Sequence, residues 1–346
     1  MATLKELSKI TGYSITTISR VLNEDATLSV TDATRKMILE AAGKLDYVSK
    51  SSAQKKNAEK QLKIGIVEMG NSQIQLKDTY YLYLKSNVES SCFENSIETV
   101  MMQYDEENAC YQTAVAKEID GILAIGQFRE EQIAAMENWT TNIVFIDSAP
   151  NPEKYCSVVP NFEVGMQQGL KYLKEAGHRN IAFVGPKYST DAHNRQALEL
   201  RRKLFCEYTQ GKDSEVNGIL ITTEWQEFDV TERIIAYLKE NKDAVDKPTV
   251  FFAFNETTAM SILRALQIMD YQVPEDFSIL GYNDTVLAGL TQPQLSSMRI
   301  QIEEMAKLGV ELLMKSIKEK SMIPLKVMVP SILMKRESVK QLRLPE

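Results

Sequence analysis

Residues 3–23, "TLKELSKITGYSITTISRVLN", contain two short runs in which apolar residues recur at helical intervals. Leu4, Leu7 and Ile10 give the first run an apolar stripe, and Gly12 is placed to end it, since glycine is favoured just past a helix end. The second run starts after a turn of about three residues, which is the spacing of a helix-turn-helix. The stretch therefore predicts two short helices that pack against each other.

Ser14 opens the second run, where its hydroxyl can cap the helix while Ile18, Val21 and Leu22 face inward. Thr31 is a candidate cap for a third helix. The apolar residues of that helix recur at helical intervals and are Met37, Ile38, Ala41, Ala42 and Leu45. We predict that residues 1–48 form a small all-α domain around one core.

The distribution of charge separates this head from the rest of the chain. Residues 1–63 carry eleven Lys and Arg against seven Asp and Glu, a net +4, whereas the other residues carry 29 against 40, a net −11. A basic head on an acidic body is expected where only the head approaches a polyanion. Residues 49–63, "SKSSAQKKNAEKQLK", hold five lysines and one acid and could not bury an apolar face by themselves. We predict a hinge or linker over residues 49–61.

The composition also excludes several classes of protein. No run of about 18 apolar residues could span a bilayer, and the amino terminus lacks the basic and apolar regions of an export signal. Four cysteines without a C-x-x-C pair and only two histidines suggest neither a disulfide framework nor a metal centre. We expect a cytoplasmic protein with no membrane partner, no metal and no cofactor.

From residue 62 onward, short apolar runs alternate with amphipathic segments, which is the pattern of βαβ units on parallel sheets. The strand candidates are "LKIGIVEM", "IETVMMQ", "DGILAIG", "NIVFID", "NIAFVG", "NGILIT", "PTVFFAFN" and "FSILGYN". So many strands suit two subdomains with a ligand-binding cleft between them better than one sheet. The predicted fold class is an α/β core of two doubly wound parallel-sheet subdomains behind a small all-α helix-turn-helix domain.

The second helix of the head contains the candidate DNA-binding residues. In a helix-turn-helix the start of this helix enters the major groove, where Ile15 and Thr16 would meet base edges and Arg20 could reach guanine O6 and N7. The polar residues suited to phosphate oxygens are Ser14, Thr17, Ser19 and Asn23. The alternative interpretation is a capped three-helix bundle in which Arg20 is merely solvated.

The segments "TLKELSKITGYSITTISRVLN" and "VTDATRKMILEAAGKLDY" resemble the DNA-binding head of the lac and galactose repressor family. Later motifs extend the resemblance over about residues 2–338, and they are "DGILAIG", "NIVFID", "LKYLKEAGHRNIAFVG", "FNETTAMSILRAL", "VPEDFSILGYND" and "PQLSSMRI". The chain is most similar to repressors of galactose and β-galactoside metabolism. The resemblance implies a homodimer that binds double-stranded operator DNA, and a periplasmic-binding-protein-like core that binds a small effector.

The same resemblance implies that the chain crosses between the subdomains three times. It places residues 62–160 and 290–323 in the first subdomain and residues 161–289 and 324–338 in the second. It also implies a hinge helix in the minor groove, with contacts at Ala53 and Lys56. The family hinge usually carries a leucine that wedges between base steps, so Lys56 at that place predicts either weaker DNA bending or a wedge supplied by a shifted residue.

Five effector-binding positions follow from the resemblance, at Asp147, Arg201, Trp225, Asn255 and Asn283. Their chemistry is that of a sugar site, because planar polar side chains pair with hydroxyl groups and an aromatic face covers the C–H side of a ring. Arg195 is a rival for Arg201, and Asn283 stands where many members have aspartate. Strand-end capping is the alternative role for Asp147 and Asn283, and a core position is the alternative for Trp225.

We therefore predict a transcription repressor that a sugar releases from its operator. A non-sugar or corepressor ligand within the same family is one alternative. A transport-type solute-binding protein is another, but it would carry an export signal and no DNA-binding head. An enzyme on a doubly wound fold is a third, against which stands the absence of G-x-G-x-x-G, G-x-S-x-G and P-loop motifs.

Overall fold

A computed structural model of the chain describes residues 4–22, 28, 30–44, 61–70, 78–114, 118–190, 196–211, 215–225, 227–319 and 322–342. The chain divides into two units, residues 1–61 and residues 62–346. Each unit has a hydrophobic core of its own.

The described part of the first unit contains three helices. They are α1 (Leu4–Thr11), α2 (Ile15–Leu22) and α3 (Asp32–Lys44). Gly12 follows α1 at a φ of +74°, a left-handed conformation that glycine adopts without a steric penalty. The core of the unit consists of the buried residues Leu7, Ile18, Val21, Ile38 and Ala42. The predicted three-helix head is thus present.

Both predicted caps are confirmed in this unit. The Thr17 backbone N–H donates to the Ser14 hydroxyl at 3.1 Å. The Thr34 backbone N–H donates to the Thr31 hydroxyl at 3.3 Å. Each bond satisfies one of the backbone donors that a helix leaves unpaired at its amino end, so these hydroxyls fix where α2 and α3 begin.

Two residues of the predicted core face solvent instead. Ile10 is 63% exposed and Met37 is 50% exposed. In α1 the core covers Leu7 fully and Leu4 in part, and Ile10 is not among the residues packed against it. Leu45, the last residue of the predicted stripe, lies outside the described residues.

The second unit contains most of the secondary structure. Its strands are β1 (Lys63–Glu68), β2 (Glu98–Asp105), β3 (Cys110–Gln112), β4 (Gly121–Ile125), β5 (Ile143–Ile146), β6 (Cys156–Asn161), β7 (Asn180–Pro186), β8 (Tyr188–Thr190), β9 (Gln196–Leu198), β10 (Asn217–Thr223), β11 (Val250–Ala253), β12 (Ser278–Asn283), β13 (Ser296–Arg299), β14 (Lys326–Pro330) and β15 (Ile332–Met334). Its helices are α4 (Thr79–Glu94), α5 (Glu130–Glu137), α6 (Phe162–Glu175), α7 (Leu200–Thr209), α8 (Thr231–Glu240), α9 (Glu256–Ile268) and α10 (Ile302–Lys318), with a 3-10 turn at Val286–Gly289.

These strands form two sheets and one small ribbon. The first sheet has the order β14-β6-β5-β4-β1-β2-β3 and the second has the order β10-β7-β11-β12-β13-β15. Pairing is parallel except for the edge strands β3 and β15, and β8 pairs with β9 in the antiparallel ribbon. The predicted fold class, two doubly wound subdomains behind a helical head, is confirmed.

All eight strand candidates from the sequence are strands in the structure. The pattern missed β6, whose sequence "CSVVPN" contains a proline. It also missed β13, a short strand with two buried serines. Strands of this kind carry too little apolar periodicity to be recognised alone.

The chain crosses between the sheets three times, as predicted: after β6, between β13 and α10, and between β14 and β15. The predicted boundaries need correction at two strands. β13 pairs with β12 in the second sheet, whereas the resemblance places residues 290–323 in the first subdomain. β14 pairs with β6 in the first sheet, whereas the resemblance places residues 324–338 in the second. The third crossing therefore falls at Ser331, inside a stretch that reads as one continuous strand.

The core of the second unit is continuous across both subdomains. One buried cluster contains residues of β1 and β5 from the first sheet together with Phe183, Phe252 and Tyr282 from the second. Two further clusters cover the outer faces of the two sheets. Burial on both faces explains why these strands read as unbroken apolar runs.

Membrane spans and metal clusters are both lacking in the part of the chain that the structure describes. Within those residues, no helix is long and apolar enough to cross a bilayer. The same residues contain no cluster of three or more His, Cys, Asp or Glu side chains suited to holding a metal ion.

Candidate ligand cleft and DNA-binding helix

The five effector positions predicted from the sequence lie around one pocket of the second unit. They are Asp147, Arg201, Trp225, Asn255 and Asn283. The pocket lies at the carboxyl ends of strands from both sheets, since Asp147 follows β5 and Asn283 ends β12. Ligands of open α/β sheets bind at this edge.

The residues that line the pocket form two walls. The first wall comes from the first subdomain and consists of Met69, Asp78, Tyr80, Tyr81 and Asp147. The second wall comes from the second subdomain, and its polar and aromatic members include Phe162, Arg201, Thr223, Glu224, Trp225, Glu227, Phe228, Phe254, Asn255 and Asn283.

Asp147 is the central acid of the first wall. It follows the fully buried strand β5 with a φ of +70°, a conformation that aspartate tolerates better than most residues. The Tyr80 hydroxyl donates to its Oδ1 at 3.0 Å, and the Tyr81 hydroxyl donates to its Oδ2 at 2.9 Å. Burial raises the pKa of Asp147 to about 6, although the two phenol hydrogen bonds oppose this.

The two tyrosines occupy the first turn of α4 and meet edge to face, with ring centroids 5.1 Å apart. Burial and the neighbouring Asp147 carboxylate raise the pKa of both phenols well above the ordinary value. Both phenols therefore stay protonated near neutral pH and remain donors toward Asp147.

Asp78 caps α4, where its Oδ1 accepts from the Tyr80 backbone N–H at 3.1 Å. Its Oδ2 accepts from the Asn255 side-chain amide at 3.4 Å, a weak bond that joins the two walls. Burial is the largest influence on this carboxyl, and its pKa is raised. Asn255 is itself a cap, because its Oδ1 accepts from the Thr258 backbone N–H at 2.9 Å at the start of α9.

Arg201 is the cation of the second wall and is 7% exposed. Its Nε donates to Glu199 Oε1 at 2.9 Å, and its Nη1 donates to the Phe254 carbonyl oxygen at 2.8 Å. The guanidinium carbon lies 3.8 Å from the centroid of the Phe254 ring and 4.4 Å from that of Phe162. A third ring, that of Tyr282, has its centroid 5.5 Å away, so the side chain is held by an ion pair and three cation–π contacts.

Asn283 ends β12 with a φ of +89° and is 5% exposed. Among the described residues, no protein group hydrogen-bonds its side-chain amide. An amide that lines a pocket without a protein partner is suited to a ligand, because it has both a donor and an acceptor to offer. The next residue, Asp284, is occupied differently: it pairs with Arg299 at 2.8 Å and with Arg336.

The aromatic part of the second wall is formed by Trp225 and Phe254. Their rings meet edge to face, with centroids 5.9 Å apart. Trp225 is half-buried, so it is not a core residue and keeps part of its surface toward the pocket. Rings placed in this way can cover the apolar face of a sugar.

Several lining residues were missed by reasoning from the sequence. They include Asp78, Tyr80, Tyr81, Phe162 and Phe254. Glu199, which does not line the pocket but pairs with Arg201, was missed as well. The signal for the first three was present, since an aspartate before a helical stretch can cap it and the helix after β1 begins at the ligand edge. Glu199 and the two phenylalanines follow only from tertiary packing.

In the head, α2 presents the predicted base-reading residues at its amino end. Ile15 is 41% exposed, and Thr16 is also exposed. The Ser14 and Thr17 hydroxyls bond to each other at 2.8 Å. Ser19 and Arg20 lie partly exposed further along the helix. Four of the predicted positions lie outside the described residues, namely Asn23, Ala53, Lys56 and the rival Arg195.

A helix-turn-helix unit followed by a two-subdomain unit with a polar cleft defines a ligand-responsive DNA-binding protein. Comparison with known families agrees. Residues 3–50 match the model of bacterial regulatory proteins of the lacI family, and residues 170–339 match a periplasmic binding protein-like domain.

Known relatives cover nearly the whole chain. The HTH-type transcriptional regulator GalR of Streptococcus thermophilus is 32% identical over 98% of this chain and 100% of its own length. The HTH-type transcriptional regulator GanR of Bacillus subtilis is 30% identical, with 92% and 94% covered. The chain belongs to the lacI family of bacterial regulatory proteins.

A solved structure supports the fold independently. The lac repressor dimer bound to operator and the anti-inducer ONPF superimposes with a TM-score of 0.63 at 20% identity, covering 98% of this chain and 99% of that one. At this identity the likeness concerns the fold alone.

Proposed function

We propose that this lacI-family regulator is a homodimeric repressor of sugar utilisation genes, and specifically of genes for the use of galactose or β-galactosides. A sugar bound between the two walls would release it from its operator. The observation that supports this most directly is that five residues taken from five separate segments line a single pocket.

The chemistry of the pocket supports a sugar. Asp147 supplies acceptor oxygens, and the unpartnered amide of Asn283 supplies both a donor and an acceptor. Trp225 and Phe254 supply the aromatic surface. A polyol ring needs this combination, because its hydroxyls lie at the rim and its C–H groups on the faces.

The two walls also give the ligand a means to act. A sugar that touches Asp147 and Asn283 together favours one arrangement of the subdomains, and DNA favours the other. A coupling of about 1–3 kcal/mol between the two ligands would change operator affinity about 5- to 150-fold. The hinge over residues 49–61 is the proposed bistable element, because its composition is too polar to fold alone.

The first experiment tests operator binding and then the response of that binding to sugar. Purified full-length protein is used to select duplexes from a random pool, and the selected duplex is then titrated by fluorescence anisotropy with and without galactose or lactose. We expect a pseudo-palindromic consensus, since two heads of a dimer read two half-sites, and weaker binding with sugar. No sequence preference even at low ionic strength would remove the DNA-binding role, whereas tighter binding with sugar would indicate a corepressor.

The reading helix is tested by substitution of Arg20. Arg20→Ala should cost about 1–3 kcal/mol of operator binding and relax discrimination at one base pair. Arg35→Ala on α3 is the charge-matched control and should change affinity evenly across operator variants. Equal and sequence-independent losses in both variants would mean that Arg20 contributes charge alone.

A further inference from the structure

The charged residues of the cleft are unevenly distributed. Among the described lining residues there are four carboxylates, Asp78, Asp147, Glu224 and Glu227, and one cation, Arg201. Glu227 is compensated by Arg233, whose Nη2 lies 2.9 Å from its Oε2. The other three acids face the cleft without an ion-pair partner among the described residues.

Arg201 compensates these acids only in part: burial raises the pKa of both Asp78 and Asp147, and the Arg201 charge opposes this without cancelling it. Its charge is already paired with Glu199, which is 3% exposed, and its Nη1 is engaged by the Phe254 carbonyl oxygen. Only Nη2 has no protein hydrogen-bond partner in the described part of the chain. Arg201 can therefore offer a ligand the N–H groups of Nη2 and the second N–H of Nη1, but its positive charge is already paired with Glu199.

Asp78 and Asp147 belong to one connected group. Tyr80 holds both, since its backbone N–H donates to Asp78 at 3.1 Å and its hydroxyl donates to Asp147 at 3.0 Å. Their partners are neutral donors from tyrosine and asparagine. Two carboxylates fixed on one wall by neutral groups create a negative potential that a ligand must enter.

We infer that the cleft selects an uncharged or amine-bearing sugar and excludes the phosphorylated or carboxylated form of the same sugar, with Asp78 as a specificity-determining residue. The inference rests on the proposed sugar effector and narrows its chemical class. An anionic ligand would lose its hydration beside Asp78 and Asp147, and among the described lining residues it would find no cation without a carboxylate partner in exchange. An ammonium group would instead gain a carboxylate partner.

The test is a matched series of ligands. Isothermal titration of the full-length protein at pH 7.5 compares galactose with galactosamine, galacturonate, galactose 1-phosphate and galactose 6-phosphate, and repeats the comparison with the glucose series. We expect the phosphates to bind at least about 100-fold more weakly than the neutral parent, because binding would bring a phosphate close to carboxylates of the same charge. Galactosamine should bind at least as tightly as galactose.

A variant assigns the selectivity to its residue. Asp78→Asn keeps a helix-capping side chain but removes the charge, so the ratio of neutral to phosphorylated affinity should fall about tenfold. Glu311→Gln, an exposed position on α10 of the same subdomain, is the control and should leave the ratio unchanged. Thermal unfolding confirms that both variants are folded. An unchanged ratio in Asp78→Asn would overturn the role given to Asp78.

The remaining outcomes separate this inference from the proposed function. A phosphorylated sugar that binds as tightly as its parent, or more tightly, would overturn the inference and leave a sugar-responsive regulator. Failure of every sugar in both series to bind would overturn the proposed function and the inference with it.

Discussion

The two walls of the cleft use the same backbone device and carry different chemistry. Each presents a polar residue at the end of a fully buried strand in a left-handed conformation, Asp147 at a φ of +70° and Asn283 at +89°. The first wall surrounds its acid with phenols, whereas the second adds a clamped arginine and an aromatic pair. The two subdomains share one type of fold, but the first wall supplies an ionisable acceptor and the second wall supplies fixed donors.

The difference lies in what holds each charge. Arg201 is held by a buried carboxylate and three aromatic rings, so its position does not depend on a ligand. Asp147 is held by neutral hydroxyls, and burial raises its pKa to about 6. The second wall is therefore expected to contribute to stability, and the first wall is expected to respond to ligand and pH.

The largest expected effect is a loss of protein stability caused by a substitution in the second wall. Arg201→Ala leaves the buried Glu199 carboxylate without its partner, which should lower the free energy of unfolding by about 3–5 kcal/mol. Urea unfolding followed by tryptophan fluorescence measures this. Arg264→Ala is the control, because its pair with Asp229 is exposed on both sides and should contribute less than about 1 kcal/mol. Equal effects of the two substitutions would show that the buried Arg201–Glu199 pair contributes no more to stability than an exposed pair, and the structural role given to the second wall would be wrong.

The role of Arg201 shows where prediction from the sequence stops. The resemblance and the βαβ pattern predict the fold class, the three crossings and the five positions around the cleft. From sequence alone, Arg201→Ala is expected to remove only the sugar response. Its structural role depends on Glu199, Phe162 and Phe254, which meet it only after folding, and no local pattern marks such contacts. For the same reason, the sequence does not predict that residues 326–334 are divided between two sheets.

The next effect concerns the acid of the first wall. Asp147→Asn keeps the shape of the side chain but removes a charged acceptor, which should weaken sugar binding by about 2 kcal/mol, roughly 30-fold. Stability at pH 7 should stay the same or rise, because the ionised carboxyl is disfavoured by burial. Titration calorimetry and urea unfolding on the same sample measure both quantities. A marked loss of stability would show that Asp147 is structural.

A smaller effect is expected from pH. The folded-state pKa of Asp147, about 6, lies above its ordinary value of 3.8, so the carboxyl takes up a proton in the folded protein as pH falls through 6. Its contribution to the free energy of unfolding therefore rises between pH 6 and pH 4, while the charged acceptor for the sugar is lost. Titration calorimetry across this range should show sugar affinity about tenfold weaker at pH 5 than above pH 7.

Glu256 makes the necessary control for this pH dependence. Burial also raises its pKa to about 6, but its carboxylate accepts from the backbone N–H of Thr285 at 2.9 Å and also from the Thr285 hydroxyl. Glu256→Gln should leave the pH dependence of sugar binding in place. If Glu256→Gln abolished the pH dependence of sugar binding, the response would belong to the second subdomain and not to Asp147 of the first wall.

The smallest expected effect comes from one hydroxyl of the first wall. Tyr81→Phe removes a donor to Asp147 Oδ2, a bond of 2.9 Å that lowers the pKa of the acid. Sugar binding at pH 7 should weaken by about 1 kcal/mol, or roughly fivefold, and the midpoint of its pH dependence should move upward. Tyr83→Phe on the same helix is the matched control, because Tyr83 does not line the pocket. A downward shift of the midpoint in Tyr81→Phe would mean that the phenol does not stabilise the ionised acid, and the first wall would then owe its response to some other group.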